Sequence, residues 1–230
     1  MFVPIPSRRS RTLRWATPLL FVSLWVVFLW AMARPDATYR ALVLDWGALS
    51  GGLSSPSGWF DAVRDGRALR LVTALFLHAD WAHLLGNLVF LSIFGLPAER
   101  AMGPWRFLAL FVLGGALANL VAVLAINAPD RVIIGASGAV SAVIGAYLAL
   151  FPRARLGVVL PLGLFLEFVR APASLLIGIW VLLQIVFAYI GPSYGAVAWV
   201  AHLGGFASGG VFALAVRGGI ARRMRRQQGY

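Results

Sequence analysis

Eight polar side chains stand inside otherwise apolar stretches of this 230-residue chain: His78, His83, Asn87, Asn119, Ser137, Ser141, Gln184 and His202. A polar group in an apolar setting is costly, so each needs a partner or a task. The three histidines among them are all the histidines of the protein. His83 and Asn87 are four apart and share one helix face. Ser137 lies in Gly135-Ala136-Ser137-Gly138, where glycine removes side-chain bulk and permits unusual dihedrals. At the start of a helix, such a turn offers backbone N–H groups to a developing negative charge, the requirement of an oxyanion hole. A serine hydroxyl is a weak nucleophile alone, and a neutral imidazole that takes its proton makes it an acyl acceptor.

Spacing brings such a pair together. Ser137, Ser141 and Gly145 form a small-residue stripe of period four, and His202, Gly205 and Gly209 form a matching one. Small faces let transmembrane helices pack with backbones nearly touching. That contact can carry the His202 imidazole to the Ser137 hydroxyl, at the ~2.6–3.2 Å a base-activated nucleophile needs. Asn119 and Gln184 read as interhelical hydrogen bonds, worth ~0.5–2 kcal/mol each. Ser141 reads as packing, and His78 is open between a structural bond and a role near substrate. A metal site is not favoured, because asparagine and serine are poor ligands and no carboxylate joins the histidines.

The elements that must position these residues are membrane helices. Hydrophobic residues make up 60% of the chain and charged ones 12%, with a mean hydropathy of +0.84. Soluble domains carry about twice that charged fraction. The apolar residues also come in blocks, so the bilayer is the solvent for most of the sequence. Six windows qualify, at 17–33, 81–96, 104–126, 134–151, 172–190 and 194–216. The reading is an all-α polytopic membrane protein whose six-helix domain spans 17–216. A basic segment precedes it at 1–16, a basic tail follows at 217–230, and an outer loop occupies 34–80. The second and fourth windows fall short of the ~20 residues that cross ~30 Å of hydrocarbon, which implies ends buried among neighbours. Segment 156–168 holds Pro161, Gly163 and Glu167 and is too short to cross. It is expected as interfacial structure or an extension leading into the fifth helix. The loop, rich in Gly, Ser, Pro and Trp, is expected to lie along the outer surface rather than form a domain.

Charge orients the bundle. With the amino terminus inside, one side receives 14 arginines and two acids, Glu99 and Glu167. The other side receives six arginines and six aspartates. The positive-inside rule then places both termini in the cytoplasm. Every cation is arginine, which points to a GC-rich bacterial genome and its cytoplasmic membrane. No aromatic-interleaved basic platform is present, so no nucleic-acid partner is read. The absence of cysteine excludes disulfides and thiolate chemistry. Arg8-Arg9 and Ala31-Met32-Ala33 mimic a cleavable signal, but the apolar stretch exceeds the ~7–15 residues of a signal core. It also holds Trp25, Phe28 and Trp30, and is read as the first helix.

These residues match a family. Gly135-Ala136-Ser137-Gly138 resembles the GxSG nucleophile motif of the rhomboid family. His78-x4-His83-x3-Asn87 resembles that family's second-helix signature, and Ala201-His202-x2-Gly205-x3-Gly209 its last-helix histidine motif. Arg70 looks like the arginine closing the family's first loop, and Glu99-x3-Gly103 like its turn after the second helix. The resemblance covers about 70–216 and implies a six-transmembrane-helix rhomboid-like bundle. It implies an intramembrane serine endopeptidase working through an acyl-enzyme, with Ser137 and His202 as a dyad without a third acid. His83, Asn87 and the Ser137 backbone N–H, beside Gly135, would stabilise the oxyanion, and His78 would support the loop. No cofactor is implied. Transmembrane proteins would be the substrates and the lipid bilayer the setting, while oligomeric state is unreadable. Some members stack a tyrosine on the histidine from the position of Ser141, so another aromatic, such as Trp199 or Phe206, would serve here. Two other classes fit less well. An inactive relative that binds membrane clients would lack Ser137 or His202, and a small transporter would show paired repeats or broken helices.

Overall fold

The computed structural model describes residues 14–49, 56–125, 131–162, 165–190 and 199–228. The chain opens with α1 (Ala16–Met32) and crosses the outer loop through α2 (Asp36–Trp46), β1 (Ala48–Leu49), α3 (Pro56–Arg64) and the short α4 (Arg70–Thr73). The second apolar helix is one run made of α5 (Trp81–Phe90), a π turn over Leu91–Gly95 and α6 (Leu96–Met102). Then come α7 (Pro104–Ala125), β2 (Val132–Ile133) and α8 (Ser137–Leu150). The rest is β3 (Arg155–Leu162), β4 (Phe165–Pro172), α9 (Ala173–Ile190), α10 (Trp199–Ala215) and a basic α11 (Arg217–Gln228). Each of the six expected windows contains a helix, and the fold is an all-α polytopic membrane bundle. Positions 1–13, 50–55, 126, 163–164, 194–198 and 229–230 of the expected segments lie outside the described residues. Pro97 does not end the second helix. The π turn directly before it relieves the clash its ring would make with a regular helical ladder.

Length sets the architecture. Trp81–Met102, α7 and α9 are long and apolar enough to cross a membrane alone, whereas α1, α8 and α10 are shorter. With 14 residues, α8 is only about 21 Å long. It is tolerated because it is central: every residue from Gly138 to Tyr147 is buried. The helix starts at Ser137, not at 134, because the chain turns at Gly135, whose φ is +115°. The nucleophile candidate thus heads a helix too short to reach both faces of the bilayer.

The small faces meet as expected. A Cβ on Gly205 would overlap the Gly138 carbonyl oxygen, one on Gly209 that of Ala142, and one on Gly145 that of Phe206. Backbone therefore rests on backbone between α8 and α10. On the other flank, Gly114 and Gly115 of α7 stand against Ala142 and Ala139. By contrast α9 buries only Ala173, Ile177 and Gln184, and turns Leu175, Ile179 and Leu182 outward.

The ends are held by polar contacts. On α6, Glu99 is 1% exposed and accepts hydrogen bonds from the Ala16 and Thr17 backbone N–H groups, each at 2.9 Å. A carboxylate there satisfies two orphan donors at the start of α1 and faces the positive end of its dipole. In the outer loop, Arg70 Nη1 donates to the Leu44 carbonyl at 3.2 Å and Thr73 Oγ1 to the Trp46 carbonyl at 2.7 Å. Strand β1 pairs antiparallel with β2, tying the loop to the segment before Ser137. Within the loop α2 buries no residue, whereas Ala62 of α3 and Ala74 and Leu75 after α4 are fully buried. The loop's helices were not anticipated, although Pro35-Asp36 is a sound helix start.

Of the two expectations for segment 156–168, interfacial structure or an extension into the fifth helix, the helical extension does not form. There β3 and β4 form an antiparallel hairpin, in register from Arg155↔Pro172 to Leu162↔Phe165. Pro161 and Gly157 disfavour a helix, and pairing the two strands gives their backbone groups partners.

Candidate active site

Three elements set Ser137. The N–H of Gly135 donates to the Ala74 carbonyl at 2.8 Å, and that of Ala136 to His78 Nε2 at 3.4 Å. From the next helix, the Asp80 carboxylate caps α5 by accepting from the His83 N–H at 2.8 Å, which fixes the start of the turn that carries His83. The His83 ring lies directly on Gly135: a Cβ there would overlap its Nε2. Glycine is required on two counts, the positive φ and this contact.

Across the α8–α10 contact, His202 Nε2 stands 2.9 Å from Ser137 Oγ. Residues 65 apart in sequence are thus at hydrogen-bond distance, as the paired small-residue faces imply. The other ring nitrogen, Nδ1, is 2.7 Å from Gln184 Oε1 on α9. Trp180 lies alongside the imidazole, with centroids 6.4 Å apart and planes at 29°, and Trp199 meets it edge-on at 5.8 Å. Of the two aromatics expected to orient His202, Trp199 touches it, while Phe206 packs on Trp180 instead. Trp180 and Gln184 are what sequence reasoning missed. Gln184 does make an interhelical hydrogen bond, but its partner is the candidate base. The available signal was the pair Trp180 and Gln184 at i and i+4 on one helix, which puts both on the same face.

Ser137, His202, His83 and Asn87 share one cavity of about 450 Å³, which Gln184 and Trp199 also line. Asn87 is 6% exposed, and its Nδ2 has no hydrogen-bond partner among the described residues. Buried donors are nearly always paired, so one left open into a cavity is available to a ligand oxygen. Ser141 Oγ donates to the Ser137 carbonyl at 2.7 Å, which agrees with a packing role. Asn119 donates to the Leu71 carbonyl at 2.8 Å and ties α7 to the loop. His78 lies before α5, outside the spans. Burial, reinforced by nearby His83, pushes its imidazole down to about 4, against opposing pulls from the Phe76 backbone and Asp80. It is therefore neutral and can accept the Ala136 N–H. The contact supports the structural-bond reading of His78.

Comparison with known proteins places the chain in a family. The Rhomboid domain family matches residues 65–218, more than half of the chain. The chain is 36% identical over 87 residues to RHOMBOID-like protein 5 of Arabidopsis thaliana, covering 38% of this chain and 28% of the relative. It is 31% identical over 179 residues to the mitochondrial RHOMBOID-like protein 12 of the same plant, covering 70% and 50%. To Rhomboid-like protease 3 of Toxoplasma gondii it is 39% identical over 80 residues, covering 35% and 30%. The matches thus span half or less of these relatives' lengths. A GASG serine at a helix start, a histidine brought to it by glycine faces and a matching domain lead to one conclusion: this membrane protein belongs to the rhomboid family, in general serine intramembrane proteases.

Proposed function

We propose that this chain is an intramembrane serine endopeptidase that hydrolyses peptide bonds in or near the transmembrane segments of membrane proteins. Ser137 Oγ attacks the scissile carbonyl carbon while His202 Nε2 takes its proton. The oxyanion is held by His83, Asn87 and the Ser137 backbone N–H, with Gly135 allowing the close approach. His202 then protonates the leaving amine, and water entering the polar cavity cleaves the acyl-enzyme. The observation that carries this reading is the 2.9 Å separation of His202 Nε2 and Ser137 Oγ. The open Nδ2 of Asn87 in the same cavity supports it.

Substrates of this reading are single-span proteins whose helix is readily unwound near its outer end, where helix-breaking residues lower the cost of exposing backbone. The arginine distribution supports a membrane domain at 17–216 with both termini cytoplasmic, in a bacterial cytoplasmic membrane. The test is cleavage of a single-span reporter in proteoliposomes. Wild type cuts it, while Ser137→Ala and His202→Ala fold but do not. A Ser137→Ala variant with full activity removes the nucleophile assignment. A well-folded wild type inert toward every reporter favours a non-enzymatic client binder.

A further inference from the structure

We infer that Gln184 is the positioning residue of the His202 base: its amide oxygen holds the proton on Nδ1, leaving Nε2 free to accept the Ser137 proton. The inference deepens the proteolytic reading above and rests on it. An amide oxygen only accepts, so with Gln184 Oε1 turned toward His202 Nδ1 at 2.7 Å the ring proton belongs on Nδ1. A neutral imidazole has one such proton. Nε2 is then a bare acceptor, and it is the atom 2.9 Å from Ser137 Oγ. The opposite tautomer presents an N–H to the hydroxyl and cannot act as a base.

Gln184 sits where this function needs it. It is 5% exposed and is the polar member of the three buried residues on α9. One turn earlier the same helix places Trp180 alongside the ring, so α9 fixes both the plane of the imidazole and its tautomer. The groups around His202 are Ser137 from α8, Gln184 and Trp180 from α9, Trp199 from its own helix, and His83 from α5. Among the described residues, no acid hydrogen-bonds to His202. A neutral amide orients the base without burying a carboxylate at membrane depth, where a charge is expensive.

The test uses the full chain in detergent micelles and a fluorophosphonate probe, which needs no knowledge of the natural substrate. Ser137 Oγ attacks phosphorus, the P–O bond forms as P–F breaks, fluoride leaves, and the serine proton passes to His202 Nε2. Gln184→Met keeps side-chain length but removes the amide oxygen. Labelling should slow on the order of 10–100-fold, less than the ~10⁴-fold loss on disabling a charged aspartate partner. Gln184→Glu keeps an acceptor and should restore most of the rate, with the acid limb of the pH–rate profile moved to higher pH. Nitrogen-15 spectra should show His202 protonated at Nδ1, the signal being assigned by its loss in His202→Ala. Three histidines in the chain make this tractable. Wild-type labelling by Gln184→Met, or a ring proton on Nε2, overturns the inference. If Ser137→Ala is silent while Gln184→Met is unaffected, the inference alone fails. If Ser137→Ala still labels, the proteolytic reading fails with it.

Discussion

Replacing Gly205 by alanine perturbs the α8–α10 contact nearest the candidate site. Gly205 lies one turn beyond His202 and faces the carbonyl of Gly138, the residue after the nucleophile. An alanine methyl would overlap that oxygen and lie 3.2 Å from Ser141 Cβ. Because the obstacle is backbone, relief requires α10 to retreat by about 1 Å, the shortfall against a normal van der Waals separation. The 2.9 Å between His202 Nε2 and Ser137 Oγ would then open to about 3.9 Å, beyond hydrogen-bond range. A misplacement of that size lowers the rate on the order of 10²-fold. Overpacking lowers stability by about 1–3 kcal/mol. The control is Gly178→Ala on α9, where an added Cβ meets nothing within 4 Å and alanine only improves helix propensity. Reporter cleavage in proteoliposomes and thermal unfolding in micelles read the two effects separately. A folded Gly205→Ala enzyme that cleaves at the wild-type rate would refute the reasoning.

His83→Ala and Asn87→Ala should each lower kcat on the order of 10²–10³-fold with little change in KM, measured by steady-state reporter cleavage. Glu99→Ala orphans the Ala16 and Thr17 N–H groups and should lower stability by about 1–3 kcal/mol in micelle unfolding. Cleavage per folded molecule should be unchanged. His78 is held at about 4 against an ordinary 6.5, so between those values the unfolded chain binds a proton that the folded chain refuses. Stability should therefore fall as pH drops from 6.5 toward 4, by at most about 3 kcal/mol. His78→Gln should remove that share of the acid dependence in thermal unfolding scans.

The apolar helices and the meeting of Ser137 with His202 were legible because they rest on strong local signals. A block of apolar residues has few soluble explanations, and glycine stripes at Gly205 and Gly209 have one obvious use inside a membrane. The partner of His202 Nδ1 was not legible. A glutamine in an apolar span reads the same whether it bonds to a catalytic imidazole or to a neighbouring helix, and only the packing of α9 decides. Segment 155–172 was missed because a hairpin needs two short runs to find each other, and Val158-Val159 has no clean alternation to announce it. The loop helices were hidden by Gly, Ser and Pro, which weaken propensity without forbidding helix where α3 forms. By type His78 was open between a structural bond and a role near substrate, and its bond to the Ala136 N–H follows from the fold of the loop before α5.

The central claim is that Ser137 is made nucleophilic by His202 beneath the membrane surface. Its most direct test is mass spectrometry of the protein after reaction with a fluorophosphonate. The account predicts one adduct, on the peptide carrying Ser137, absent from both Ser137→Ala and His202→Ala. An adduct on another residue, or wild-type labelling of folded His202→Ala, would contradict it.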